Sequence, residues 1–133
     1  MQINEKKTIL LVEDEAIISL STSKILQKNG FNVITVHKGE KAIDAVRDSA
    51  TIDIVLMDIN LGKGMDGAEA AEKVLKIRSL PIVFLTSHSE QAVVDRIKSI
   101  TRYGYVIKNS GEFVLLESIN MALFSPHPST FTM

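Results

Sequence analysis

The stretch Ile54-Val55-Leu56-Met57-Asp58 is the part of the sequence that decides the fold. Four consecutive apolar residues closed by an acid predict a strand that is buried on both faces, as strands of parallel sheets are. A glycine-containing loop follows, so the chain leaves the interior at Asp58. Because ligands bind at the carboxyl ends of strands in open α/β sheets, Asp58 stands where chemistry is expected. Taken alone, it could equally be a helix cap or a solvated loop acid.

The composition is that of one globular domain. The chain has 133 residues, of which 45% are hydrophobic, a net charge of −1 and no cysteine. It therefore has no basic footprint for nucleic acid, no disulfide and no cysteine-type zinc site. The first residues are polar, and no apolar run approaches the ~20 residues of a membrane span. We expect a cytoplasmic protein that binds neither nucleic acid nor membrane.

Four further segments have strand composition, namely residues 8–12, 31–36, 81–85 and 103–107. Apolar residues repeated at helical spacing predict a helix after every strand. Gly30 would end the first helix, and Ser89 and Ser110 would cap the fourth and fifth helices.

Five strands that alternate with five helices predict a parallel sheet covered on both faces and joined by right-handed crossovers. A closed eight-stranded barrel would need about twice this length. We therefore predict an α/β fold of the flavodoxin-like type, a doubly wound (βα)5 five-stranded parallel sheet with strand order 2-1-3-4-5. The expected organisation is an amino-terminal extension at residues 1–7, one domain at residues 8–124 and an unstructured tail at residues 125–133.

Polar residues end four of the predicted strands: Glu13 and Asp14, Asp58, Thr86, and Lys108. In the order 2-1-3-4-5 the first and third strands are neighbours, so the three acids should converge. Two like charges ~4 Å apart repel by about 4 kcal/mol at an effective dielectric constant of about 20. Three carboxylates therefore stay ionised only beside a cation, or else one takes up a proton. Oxygen ligands without cysteine or clustered histidine favour a hard ion, Mg²⁺ first.

These residues resemble the response-regulator receiver domain of two-component signalling. The resemblance covers residues 8–124, and its motif residues are spread over four strands in the expected order. It implies that Asp58 accepts a phosphoryl group from a phosphohistidine on a sensor histidine kinase or phosphotransfer protein. It also implies that Glu13, Asp14 and Asp58 hold Mg²⁺ together with the backbone carbonyl of Asn60.

The resemblance assigns the other roles as well. Thr86 would be the switch hydroxyl, Lys108 the family's lysine, and Tyr105, three residues before it, the switch aromatic. Thr86 can donate a hydrogen bond to a phosphoaspartate, and Lys108 can pair with its charge. If Thr86 moved inward, Tyr105 could fill the vacated space, and the face made by the fourth helix, fifth strand and fifth helix would change. Such a protein is a signalling switch rather than an enzyme, and it acts on a downstream effector or on a covalently attached kinase module.

Two features depart from the family pattern. A proline, often with a cis bond, usually follows the lysine, but Asn109 stands there in this chain. Because a non-proline cis bond costs ~2.5–4 kcal/mol, we expect a trans bond or a compensated cis bond, and an altered position of Lys108. The loop at residues 61–67 is one residue longer than usual. Residues 104–112 are similar to receiver modules attached to sensor histidine kinases.

Two alternatives of other kinds stay open. Residues 62–67 fit the pattern G-x-G-x-x-G between a strand and a helix, which would indicate a dinucleotide-binding oxidoreductase. Against it, Asp58 and Asp66 would face the pyrophosphate, and no acid ends the next strand to bind a ribose. The other alternative is a pseudo-receiver, a binding module that is never phosphorylated. The filled motif positions oppose it, whereas Asn109 and the longer loop favour it.

The individual site residues also have plainer interpretations. Thr86 could cap a helix, Lys108 could be a solvated surface lysine, and Tyr105 could be ordinary core. His88, two residues past Thr86, could tune the lifetime of a phosphoryl group or be an ordinary loop residue. The joint occurrence of acids, hydroxyl and lysine at four strand ends is what favours a functional site.

Overall fold

Residues 6–87, 91–101 and 103–124 are described by a computed structural model, in which five strands alternate with five helices. The strands are β1 (Thr8–Val12), β2 (Asn32–Val36), β3 (Ile52–Asp58), β4 (Ile82–Thr86) and β5 (Tyr105–Ile107). The helices are α1 (Ala16–Lys28), α2 (Gly39–Asp48), α3 (Gly67–Ile77), α4 (Gln91–Ile100) and α5 (Glu112–Phe124). None of these helices has the length and apolar character that crossing a membrane requires.

All strand pairs are parallel, and the sheet order is β2-β1-β3-β4-β5, which confirms the predicted flavodoxin-like fold. In this register Val12 lies level with Val36 on one side and with Met57 on the other. Parallel strands leave the sheet at the same edge. The residues that follow Val12 and Met57 are therefore brought side by side at the carboxyl edge of the sheet.

The core consists of two clusters, one on each face of the sheet. On β3, Val55 and Met57 belong to the cluster under α2, α3 and α4, whereas Ile54 and Leu56 belong to the cluster under α1 and α5. Successive side chains of a strand point to opposite faces. The uninterrupted apolar sequence before Asp58 therefore reflects a strand that packs against helices on both sides.

The strand and helix ends differ from the sequence prediction at several positions. Strand β3 begins at Ile52, so Asp53 lies inside it, and its carboxylate accepts a hydrogen bond from the backbone N–H of Thr8 at 2.8 Å. The Ser110 hydroxyl donates to the carbonyl oxygen of Ile107 at 2.6 Å and does not cap α5, which begins at Glu112. The predicted cap Ser89, the loop residue His88 and the tail at 125–133 lie outside the described residues.

Arg78, directly after α3, ties that helix to the connection between α2 and β3. Its guanidinium donates to four backbone carbonyl oxygens, at 3.4 Å to Val46, 2.9 Å to Ser49, 3.4 Å to Ala50 and 2.6 Å to Ile52. Carbonyl groups near a helix end need such partners because the helix itself does not supply them. Arg78 therefore fixes the start of β3, the strand that carries Asp58.

We expect Arg78→Met to lower the free energy of unfolding by about 2–3 kcal/mol, because half-buried carbonyls lose a charged donor. Urea denaturation monitored by circular dichroism measures the change. Arg47→Met is the matched control, since among the described residues Arg47 pairs with the exposed Asp44 alone, at 3.5 Å. Its loss should cost less than about 0.5 kcal/mol. Equal losses for the two variants would contradict the role given to Arg78.

Candidate functional site

Three carboxylates meet at the carboxyl edge of the sheet, where β1 and β3 end. Glu13, Asp14 and Asp58 each offer an oxygen, and these oxygens lie within 4.8 Å of one another. Glu13 and Asp58 are 0% and 2% exposed, whereas Asp14 is exposed to solvent. The strand order therefore brings the three acids into one cluster, which opens to solvent on the Asp14 side.

Backbone contacts hold Glu13 in place. Its N–H donates to the carbonyl oxygen of Val36 at 3.1 Å, which extends the pairing of β1 with β2 by one residue. Its own carbonyl oxygen lies 2.9 Å from Nδ1 of His37, and one oxygen of its carboxylate accepts from the N–H of Glu15 at 3.3 Å. The sequence motifs assign no role to His37. The signal was available, because His37 follows β2 at the same edge of the sheet.

Lys108 reaches the acids from β5, across the intervening strand β4. Its Nζ lies 3.0 Å from Glu13 Oε1 and 3.0 Å from Asp58 Oδ2, and its side chain is 14% exposed. The Lys108 N–H donates to the carbonyl oxygen of Thr86 at 2.8 Å, so its backbone is fixed to β4. The bond between Lys108 and Asn109 is trans, as one of the two expectations had it. The ammonium nevertheless lies between two carboxylates.

Both oxygens of the Asp58 carboxylate are engaged. Oδ1 accepts from the N–H of Asn60 at 3.0 Å, and Oδ2 accepts from Lys108 Nζ at 3.0 Å. The chain turns sharply after Asp58, and α3 packs so closely on this turn that a Cβ at Gly67 would lie 2.0 Å from the Asp58 carbonyl oxygen. Only glycine fits there. The predicted role of the Asn60 carbonyl as a metal ligand stays a prediction.

Thr86 lies on β4, next to the strand of Asp58, and Tyr105 lies on β5, one strand further along the sheet. Leu85 is level with Asp58 in the pairing of β3 with β4, so the buried Thr86 follows one residue beyond, at the edge of the acidic cluster. Tyr105 is half-buried, is paired with Phe84, and packs against the core cluster under α2, α3 and α4. The structure thus places a buried hydroxyl residue and an aromatic ring on adjacent strands.

Burial raises the pKa of Glu13 to about 7, and the neighbouring Asp58 carboxylate adds to this rise. Burial alone would lower the pKa of Lys108, but its contacts with Asp58 and Glu13 outweigh burial and raise that pKa. Glu13 Oε1 is buried and lies 3.0 Å from the Lys108 ammonium, with which it forms an ion pair. With one ammonium and three ionised carboxylates, two negative charges stay unbalanced. This set of oxygen ligands fits a small divalent cation such as Mg²⁺.

The loop between β3 and α3 folds against two acids. Gly62 has a φ of +68°, and a Cβ there would lie 3.0 Å from Oδ2 of Asp14. Gly64 has a φ of +87°, and a Cβ there would lie 3.1 Å from Oε2 of Glu40, an oxygen that also accepts from the N–H of Met65 at 3.4 Å. The sequence does not predict the contact of Glu40, because helical periodicity marks Glu40 as an outward residue. The longer loop therefore approaches the acidic cluster through Gly62, and it approaches Glu40 of α2 through Gly64.

We expect Gly62→Ala to weaken Mg²⁺ binding about tenfold, because the added methyl group displaces the Asp14 carboxylate. Isothermal titration calorimetry measures the affinity. Gly30→Ala is the matched control, because Gly30 has a φ of +92° and nothing lies within 4 Å of its Cβ position. That variant carries the same kind of backbone strain and should bind Mg²⁺ like the wild type. Equal affinities for the two variants would contradict the contact.

In metal-free protein, Glu13 should make the free energy of unfolding fall as the pH rises. A glutamate side chain ordinarily has a pKa of 4.5, whereas that of Glu13 is about 7 in the folded protein. The stabilisation is therefore complete below pH 4.5 and is lost as the pH rises through about 7. We expect a loss of about 2 kcal/mol in urea denaturation with EDTA.

Glu13→Gln is the control for this pH dependence, because the amide cannot ionise. The difference between the two proteins isolates the contribution of Glu13. Parallel curves of stability against pH for wild type and Glu13→Gln would show that Glu13 ionises normally.

Comparison with known proteins shows the family to which the chain belongs. The family model of the response regulator receiver domain matches residues 9–120. The N-terminal domain of a response regulator/sensory box/GGDEF 3-domain protein from Carboxydothermus hydrogenoformans is 43% identical, with a TM-score of 0.84 and coverage of 93% of this chain and 99% of that one. A CheY-like receiver domain protein from Methanospirillum hungatei is 26% identical, with a TM-score of 0.80 and coverage of 90% and 94%.

Curated relatives match over a smaller share of their own length. The transcriptional regulatory protein PdtaR of Mycobacterium tuberculosis is 27% identical over 118 residues, which are 88% of this chain and 57% of the relative. The transcriptional regulatory protein CpxR of Escherichia coli is 33% identical over 89 residues, which are 67% of this chain and 36% of the relative. The resemblance seen in the sequence is confirmed, and the chain belongs to the response regulator receiver domain family.

Proposed function

We propose that this chain is a phosphoacceptor domain of a two-component phosphorelay that acts in the cytoplasm. Asp58 takes a phosphoryl group from a phosphohistidine of a sensor histidine kinase or a phosphotransfer protein. The observation that carries the proposal is the buried Asp58 carboxylate, whose two oxygens are held by Lys108 and by the N–H of Asn60 beside two further acids. The chain is a switch that catalyses only its own phosphorylation and dephosphorylation.

In the proposed transfer, a carboxylate oxygen of Asp58 attacks the phosphorus atom of the phosphohistidine. A P–O bond forms and the P–N bond breaks, and the electron pair stays on the imidazole nitrogen, which takes a proton from solvent. Lys108 and Asn60 hold the carboxylate in one orientation before the donor arrives, which lowers the entropic cost of the encounter. Lys108 can then pair with a phosphoryl oxygen instead of the carboxylate.

Glu13, Asp14, Asp58 and the backbone carbonyl of Asn60 would hold Mg²⁺. When bound, Mg²⁺ neutralises the negative charge that the phosphoryl oxygens bring to the acidic cluster. The closeness of the three carboxylate oxygens, which lie within 4.8 Å of one another, and the exposure of the Asp14 carboxylate support this assignment.

The proposed switch uses Thr86 and Tyr105. The Thr86 hydroxyl would donate a hydrogen bond to the phosphoryl group on Asp58, and Thr86 would move toward it. The ring of Tyr105, half-buried on β5, would enter the vacated space. The surface formed by α4, β5 and α5 would then differ between the two states and be read by a partner protein.

The output partner is proposed from the relatives alone. PdtaR and CpxR are named transcriptional regulatory proteins, and the protein of Carboxydothermus hydrogenoformans combines its receiver with sensory box and GGDEF domains. Because this chain spans 57% and 36% of the two curated relatives, its own output is open to either arrangement. We propose a downstream effector or a covalently attached kinase module as the partner.

The geometry opposes the dinucleotide alternative. The glycines of residues 62–67 lie against carboxylates, Gly62 against Asp14 and Gly64 against Glu40. A pyrophosphate at this loop would meet negative charge rather than the free backbone N–H groups that such sites offer.

The test of the phosphoacceptor proposal is incubation with acetyl phosphate and Mg²⁺ followed by intact-mass measurement. The wild type should gain the mass of one phosphoryl group, and Asp58→Asn, which keeps the side-chain shape, should gain none. Asp44→Asn, an exposed acid on α2, is the matched control and should be phosphorylated like the wild type. EDTA should abolish the gain, because the charge at the site is then not neutralised.

The same samples test the switch. Addition of an acyl-phosphate mimic should shift the backbone amide resonances of α4, β5 and α5 in the wild type, and much less in Thr86→Ala. Unchanged resonances in a phosphorylated wild type would contradict the switch. A wild type that gains no mass from acetyl phosphate or from a phosphorylated histidine kinase would be a pseudo-receiver instead.

A further inference from the structure

We propose that Asn109 is a positioning residue, which aims the Lys108 ammonium at Glu13 and Asp58 by holding a tight turn at residues 107–110. The proposal concerns the backbone that carries Lys108. It rests on the proposed function only for its consequence, the rate at which Asp58 is phosphorylated.

The turn is defined by two hydrogen bonds and one backbone angle. The N–H of Ser110 donates to the carbonyl oxygen of Ile107 at 3.2 Å, and the Ser110 hydroxyl donates to the same oxygen at 2.6 Å. Asn109 has a φ of +67°, and in the described part of the chain no other non-glycine residue has a positive φ. A type II turn has a hydrogen bond from the N–H of its fourth residue to the carbonyl oxygen of its first, and a positive φ at its third residue. Lys108 and Asn109 are its two central residues.

This turn decides where the Lys108 side chain leaves the backbone. The Lys108 N–H is fixed to the Thr86 carbonyl oxygen at 2.8 Å, so the chain direction before Lys108 is set by β4. The direction of the chain after Lys108 is set by the positive φ of Asn109. Within the described residues, the contacts of Nζ are with the carboxylates of Glu13 and Asp58, both at 3.0 Å. Because no other described residue holds the ammonium, its position depends on the direction in which the Lys108 side chain leaves the backbone.

The residue type at position 109 follows from the angle. Asparagine and glycine adopt a positive φ readily, whereas a side chain with a branched Cβ strongly disfavours it. Proline is excluded, since its ring fixes φ near about −65°. Asn109 is exposed, and its side chain makes no hydrogen bond with the described residues. Asn109 therefore acts through its backbone angle, and glycine should replace it.

Lysine acylation tests the turn without any phosphorylation. Wild type, Asn109→Gly, Asn109→Ala and Asn109→Val are treated with an amine-reactive acylating reagent, and each lysine is followed by peptide mass mapping. Lys108 should be protected relative to the exposed Lys63 in wild type and in Asn109→Gly. Its acylation should become several-fold faster in Asn109→Ala and faster still in Asn109→Val. Asn109→Ala keeps the test usable if the valine variant does not fold.

Gly30→Val is the matched control, because Gly30 has a φ of +92° in open space away from the site. It carries a comparable backbone strain but should leave Lys108 protected. In folded protein, protection of Lys108 in Asn109→Ala and Asn109→Val equal to that in wild type would overturn the proposal. Loss of protection in Gly30→Val would do the same, since the effect would then reflect general destabilisation.

The kinetic consequence is measured with acetyl phosphate and Mg²⁺. Phosphorylation of Asn109→Val should be about tenfold slower than that of wild type, and Asn109→Gly should restore the rate. Equal rates for wild type and Asn109→Val would overturn the kinetic part of the proposal. If the wild type takes up no phosphoryl group, the proposed function fails, while the acylation result still decides whether Asn109 positions Lys108.

Discussion

The structure depends on the burial of acidic side chains around the ammonium of Lys108. Glu13 and Asp58 are shielded from water and share the ammonium of Lys108, which lies 3.0 Å from an oxygen of each. One ammonium does not balance three carboxylates, and charges that are withdrawn from water interact strongly. Burial, together with the neighbouring Asp58 carboxylate, raises the pKa of Glu13. The unbalanced charge makes the site suited to a divalent cation and to the phosphoryl chemistry that we propose. The buried acidic side chains lower the stability of the fold at the position where function is proposed.

The rest of the fold keeps these charges in place. Parallel strands β1 and β3 bring the acids to one edge, and β5 carries Lys108 to the same edge from two strands away. The turn after Asp58 is fixed by the close packing of α3 at Gly67, where a Cβ would lie 2.0 Å from a carbonyl oxygen. A rigid sheet with its polar residues on the connecting loops is a common arrangement for binding and catalysis. In this chain the loop after β3 brings Gly62 against Asp14, so the loop packs against the acidic cluster.

Ser110 and Glu40 make contacts that the sequence does not predict, for physical reasons. Ser110 has the chemistry of a helix cap, but its hydroxyl donates to Ile107 within the turn that Asn109 forms. Local preference could not distinguish these uses, because serine serves both caps and turns. Glu40 lies on the outward face of α2, yet it accepts a hydrogen bond from the loop after β3. Such a contact joins segments far apart in the chain, and periodicity carries no information about it.

The sequence by itself determined the alternation of five strands with five helices, because apolar runs closed by acids or glycines specify buried parallel strands. The family, and the strand order that goes with it, came from the resemblance of the residues at the strand ends. The sequence also located Asp58 and the other strand-end residues. The tertiary structure alone decided how the Lys108 ammonium reaches Glu13 and Asp58 although Asn109 replaces the usual proline, and how far the pKa of Glu13 rises. Both depend on distances of a few ångströms between strands and on exclusion of water, which exist only once the sheet is assembled.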